Sequence, residues 1–140
     1  MTQELKIKGE NGHSILISDL ISKRDFFSAK VNLKSDWYEA KVTFQSSIDR
    51  LNEFSREINL MLAKNQGEAS FINDDGNFSL DVSFSSEATG KIQISGILIK
   101  NMMDESRLEY CMESDYHNLE IMKHSVYKLL EYFSKESLNK

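Results

Sequence analysis

"LKSDWYEAKVTFQSSIDRLNEFSREI", residues 33 to 58, changes its hydrophobic period once, and that change sets the fold. Leu33 closes an alternating apolar run with Phe27, Ala29 and Val31, and Tyr38, Ala40, Val42 and Phe44 alternate on the far side of "KSDW". Successive side chains of an extended strand point to opposite faces, so period two on both sides of a polar turn predicts a β-hairpin with one face on a core. Beyond Phe44 the apolar positions become Ile48, Leu51, Phe54, Ile58, Met61 and Leu62, the three-and-four spacing of an amphipathic helix. Ser46 or Ser47 can accept from first-turn amides, and Asp49 can reach back as an approximate capping box. The pattern stops at "KNQG", where Asn65 or Gly67 supplies a left-handed end.

The second half repeats this grammar without repeating the residues. "EASFI" is a short strand, "NDDG" a turn, and "FSLDVSF" alternates Phe78, Leu80, Val82 and Phe84. "KIQISGILIK" changes phase across Gly96, from Ile92 and Ile94 to Ile97 and Ile99, which predicts a bulge or a central strand covered on both sides. "RLEYCME" alternates again before a second handover at "SDYHNLE", where Ser114 or Asp115 can cap a helix striped by Leu119, Met122, Val126, Leu129, Leu130 and Phe133. With "ELKIKG" and "HSILIS" as a first hairpin, the order is ββββαββββα. Short connections favour antiparallel neighbours. The expected class is α+β, an antiparallel sheet of seven to eight strands with both amphipathic helices on one face.

A chain of 140 residues, 40% apolar and 10% aromatic, fills the core of one domain, spanning residues 1–140. Its apolar runs are too short to cross a bilayer, so no membrane partner is expected. "MTQELKIKGENG" lacks the basic flank and apolar run of a secretory signal, and the single Cys111 fits a reducing compartment. A cytoplasmic location follows as the expectation. Residues 68 to 120 carry eleven acids against three bases, a segment charge of −8 that exceeds the net −5 of the whole chain. Such a segment repels a phosphate backbone and attracts a basic protein, so nucleic acid is not an expected partner.

Catalytic patterns fail on spacing. His117, Glu120 and His124 share a helix face, but the histidines lie roughly 10 Å apart along the axis, too far to hold one zinc. Cys111 has only His117 nearby as a base and reads as a half-buried thiol. Glu109 and Glu113 stand roughly 13 Å apart along a strand, wider than a glycosidase pair. No nucleophile elbow, phosphate-cradling loop or zinc-protease helix occurs. The residues therefore predict neither an enzyme nor a cofactor or metal site. They leave an acidic binding surface at Asp104, Glu105, Glu109, Glu113 and Asp115, with Asp36, Trp37, Asp74 and Asp75 on other turns. The alternative is a small-ligand pocket between sheet and C-terminal helix, lined by Phe84, Met112 and Met122.

The run from "DFFSAKVNLKSDWYEAKVTFQSSIDRLNEFSREI" through "GEASF", "FSLDVSF", "GKIQISGILI" and "LEYCMESDYHNLE" resembles the WapI-like immunity proteins of bacterial contact-dependent toxin systems. The likeness covers about residues 25 to 133 and lies mostly in apolar spacing. Where that family shows Asp-Gln-Thr before the final helix, this chain keeps only the acid, Asp115, followed by Tyr116 and His117. What the resemblance implies is a small cytoplasmic protein that occludes a cognate toxin domain. Nuclease toxins are usually basic, so an acidic face would suit such a target.

Overall fold

The computed structural model describes residues 4–36, 38–86, 90–101 and 106–138. The hairpin and helix expected from residues 33 to 58 are present: β3 (Phe26–Lys34) pairs antiparallel with β4 (Glu39–Ser47), and α1 (Ile48–Lys64) follows at once. Val31 opposes Val42 and Ala29 opposes Phe44, so the two apolar phases lie on the same face. Leu51, Phe54, Ile58 and Met61 are the buried stripe of α1, with Ile48 and Leu62 at its margins. Asn65 ends the helix in the left-handed conformation, φ 52°.

β1 (Leu5–Lys8) and β2 (Ser14–Lys23) complete a first sheet in the order β1-β2-β3-β4. After α1 the pattern recurs: β5 (Glu68–Ile72), β6 (Phe78–Ser86), β7 (Lys91–Asn101) and β8 (Ser106–Asp115) form a second antiparallel sheet, followed by α2 (Tyr116–Leu138). The expected α+β class, element order and antiparallel pairing hold. The strands, however, divide into two four-stranded sheets, because each fourth strand leads into a helix and not into another hairpin.

Each helix leaves the sheet that precedes it. α1 follows β4 yet packs chiefly on β5, and α2 follows β8 yet packs chiefly on β1, while the helices also touch each other. One continuous core results, with Phe27 of β3 stacked on Phe133 of α2 at 5.0 Å and Phe44 of β4 against Phe78 of β6 at 4.9 Å.

Both strand-to-helix corners are tied to a hairpin turn of their own sheet. The Ile48 amide donates to the Asp25 carbonyl at 2.8 Å, and the Tyr116 amide to the Gly90 carbonyl at 3.0 Å. The expected Ser46/Ser47 capping box is absent: Ser47 occupies the N-cap position without a side-chain cap bond, and the Ser46 hydroxyl donates to the Ser47 carbonyl. The backbone tie to Asp25 takes over part of that work. At the second corner the expectation holds, since the Asp115 carboxylate accepts from the Asn118 amide at 2.9 Å.

Gly96 lies in an unbroken stretch of pairing, opposite Leu80 on one side and Tyr110 on the other, and the register irregularities fall elsewhere, at Phe84/Ser86 and Ile99/Asn101. No bulge marks it. A Cβ there would collide with the Ser79 carbonyl oxygen and meet the Tyr110 hydroxyl at 2.6 Å. The strand is interior to its sheet, but it is not covered on both sides: the core phase of Ile92 and Ile94 continues unchanged to Leu98, and Ile97 and Ile99 lie half-buried on the outer face with exposed Gln93.

Candidate functional site

Strand alternation sends Ala69, Phe71, Leu80, Val82, Ile92, Ile94 and Met112 of the second sheet into the core. The same alternation turns a polar set outward, and the register brings it together. Glu68, Ser83, Gln93 and Glu113 stand in one row across β5, β6, β7 and β8. Ser70, Asp81, Ser95 and Cys111 make the next row, and Ile72, Ser79, Ile97 and Glu109 a third. At about 4.8 Å between strands, each row spans roughly 14 Å. The face thus carries short hydroxyls, one amide, one thiol and two isoleucines, with carboxylates on all three rows.

Its acids are lightly committed. Glu109 pairs with Arg107 at 3.1 Å, and both side chains are exposed. The Asp81 carboxylate accepts from the Ser70 hydroxyl at 2.7 Å. Glu113 is exposed and its backbone carbonyl accepts from the Glu10 amide, so the β1–β2 turn closes the free edge of β8 beside it. Asp115 caps α2 and faces Lys91. That lysine bonds Glu10 at 2.8 Å, and the bond, with the charges of Glu10, Glu113 and Asp115, raises its pKa above the ordinary 10.5. Cys111, expected to be half-buried, is exposed mid-face because it stands on the outward phase of β8, its Sγ accepting from Gln93 Nε2 at 3.2 Å.

The expected residues therefore separate. Glu109, Glu113 and Asp115 lie together on β8. Asp74 is spent internally on Arg50 of α1, at 2.6 Å, with Arg50 also donating to the Ile72 carbonyl. Asp75 is exposed beside it in the β5–β6 turn, and Asp36 lies by Gly12 in the first sheet's turns. Asp104, Glu105 and Trp37 lie outside the described residues. Glu68 and Asp81 were not singled out as site residues, yet the register places them with Glu113 and Cys111; their signal is the polar phase of "EASFI" and "FSLDVSF".

The residues named for a small-ligand pocket have a different fate. Met112 and Met122 are buried in the core and Phe84 packs half-buried against it. A groove of about 820 Å³ does exist between α1 and α2, lined by Asn59, Leu62, Tyr116, Glu120, His124 and Tyr127 among others. It places His124 and Glu120 beside α1, opening to solvent. No helix among the described residues is long and apolar enough to cross a membrane.

No family model and no curated protein matches the chain. Among solved structures it is similar to Trypanosoma bruciei MRP1/MRP2, with a TM-score of 0.54, 8% identity, and 95% of this chain and 85% of that chain covered. It is also similar to the plant transcriptional regulator PBF-2, with a TM-score of 0.51, 10% identity, and coverage of 99% of this chain and 85% of that one. At such identities the likeness is one of fold.

Proposed function

We propose that this chain is a cytoplasmic binding protein that neutralises a basic protein partner, in the manner of an immunity protein occluding a toxin domain, through the outer face of its second sheet. The single observation that carries the reading is the convergence of Glu68, Asp81, Glu109 and Glu113 on one exposed four-stranded face. Carboxylates on a rigid sheet need little ordering on binding, so a basic surface meets a preformed field that speeds encounter and fixes register. Half-buried Ile97 and exposed Ile72, in the row with Glu109, supply the apolar contact that charge alone lacks. The occlusion role itself rests on the resemblance to WapI-like proteins and on this complementarity.

The test is co-purification with the C-terminal domain encoded by the adjacent upstream reading frame. A 1:1 complex is expected whose association rate falls steeply with salt. Glu109→Lys with Glu113→Lys should weaken binding about tenfold or more, chiefly by slowing association. A complex indifferent to both reversals would remove this face from the interface, and no complex at all would remove the partner.

A further inference from the structure

The first sheet also has an outer face, and its charge is opposite. Lys6, Lys8, Lys23, Lys30, Lys34 and Lys41 are all exposed. All stand on the phase away from the core: Leu5, Ile7, Phe27, Ala29, Val31, Leu33 and Val42, which alternate with them, are buried. The register assembles these lysines across strands. Lys6, Leu16, Asn32 and Lys41 form one row, Lys8, Ser14, Lys34 and Glu39 the next, and Ser18, Lys30 and Thr43 another. Neighbouring rows are roughly 7 Å apart along the strands. The acids on this phase, Glu4, Asp19 and Glu39, are fewer, and the pairs they make are loose and exposed: Asp19 to Lys30 at 3.4 Å and Glu39 to Lys41 at 3.9 Å. At the β2–β3 end, beside Lys23, Phe26 is 53% and Ile21 60% exposed.

We infer that this face binds a single-stranded nucleic acid, with the lysines on phosphates and Phe26 stacking on an unpaired base. Three features favour this occupant over an acidic protein or a duplex. Lysine is depleted in protein–protein interfaces, which concentrate apolar and aromatic residues at their centre, whereas here lysines stand on inner and edge strands alike, with Ser, Thr, Asn and a single half-buried leucine, Leu16, between them. Lysine ammoniums are compact point charges suited to phosphate, and the intervening hydroxyls can donate to the same oxygens. Among the described residues no helix stands on this face to enter a duplex groove, while an exposed aromatic beside a basic track is the device by which single strands are held without sequence preference. The −8 segment that argued against nucleic acid lies in the second half of the chain, on the other sheet and its turns and at the start of α2, and does not describe this face.

The experiment is fluorescence anisotropy of a labelled 15-nucleotide oligothymidylate with the full chain at 50 to 200 mM salt. Binding is expected in the micromolar range at the low end. Engagement of about four phosphates at a slope of roughly −0.7 each would weaken it about 50-fold by 200 mM. Lys30→Glu with Lys34→Glu should cost at least tenfold, Phe26→Ala about fivefold to tenfold, and Glu109→Lys with Glu113→Lys should cost nothing. Circular dichroism of each variant establishes that the fold is kept. Three results would overturn the inference: no anisotropy change at 100 µM protein in 50 mM salt, equal competition by poly-L-glutamate, or tighter binding of a 15-base-pair duplex. Because the variants lie on different sheets, failure here leaves the toxin-binding reading standing, and the reverse also holds.

Discussion

Tyr110 shows how one residue can hold two strands and report on them. Its ring lies over Gly96 of β7, and its hydroxyl reaches across to donate to the Ser79 carbonyl of β6 at 2.7 Å. The Ser79 hydroxyl in turn accepts from the Ile97 amide at 3.0 Å, so three strands are linked at this point. Burial, and secondarily the negative charge of Asp81, push the phenol well above the usual value of 10. The folded chain therefore keeps a proton that the unfolded chain releases near pH 10. The stability this contributes is complete below pH 10 and is lost as pH rises beyond it. Tyr110→Phe removes the bond and leaves the Ser79 carbonyl short of a partner, so it should cost about 1–2 kcal/mol at pH 8. Urea midpoints of wild type and variant should then converge between pH 8 and pH 11. A gap constant across that range would show that the phenol does not titrate as its burial demands. Alternation predicted Tyr110 on the core phase, but its partner could not be read: Ser79 is thirty-one residues away and becomes a neighbour only through the register.

At the scale of elements, the strands and both helices were legible because each has a clean period, and neither proline nor a glycine-rich tract interrupts the pattern. What escaped was how elements end against one another. "NDDG" reads as a turn and is one, with Gly76 at φ 74°. Its flanking asparagines do more. Buried Asn73 accepts from the Phe78 amide and donates to the Gln45 carbonyl at 2.9 Å, while Asn77 donates to the Thr43 carbonyl at 3.0 Å. The β5–β6 turn thus satisfies carbonyls along the edge of β4 and joins the two sheets. The Glu10 amide and the Ser114 hydroxyl do the matching work where the β1–β2 hairpin meets β8. Asn73→Ala leaves buried carbonyl and amide groups unpaired and should destabilise by about 2–3 kcal/mol, with Asn77→Ala costing less because that side chain is more exposed. Equilibrium urea unfolding measures both. An Asn73→Ala loss below about 0.5 kcal/mol, the level of an ordinary surface change, would mean that the turn is held by its backbone alone.

At the scale of the whole molecule, charge is arranged by face as well as by segment. Residues 1 to 67 are nearly neutral in sum, because the acids of the turns and α1, such as Asp25, Asp49, Glu53 and Glu57, offset the lysines of β1, β3 and β4. Folding sorts those charges by face: the lysines go to the outer side of the first sheet and the acids of β5, β6 and β8 to the outer side of the second. The acidic side was visible in the −8 of residues 68 to 120, whereas the lysine face was written only in the strand phases and hidden in the near-zero sum of residues 1 to 67. The exchange of helices was not written locally at all, since an amphipathic stripe says that a helix must be covered and not by what. α1 belongs in sequence to the first sheet and covers β5 of the second; α2 belongs to the second and covers β1 of the first. Each half of the chain therefore carries the lid of the other. Residues 1–66 alone would expose the buried stripe Leu51, Phe54, Ile58 and Met61, and also leave β1 without α2. A chain of that length is already marginal even with its core intact. Fragments 1–66 and 67–140 should accordingly each lack a cooperative unfolding transition, and an equimolar mixture should regain one together with near-ultraviolet circular dichroism. A fragment that melts cooperatively as a monomer would show that the hairpin sheet is stable without the exchanged helix, and that the two lids are an addition to the fold and not its closure.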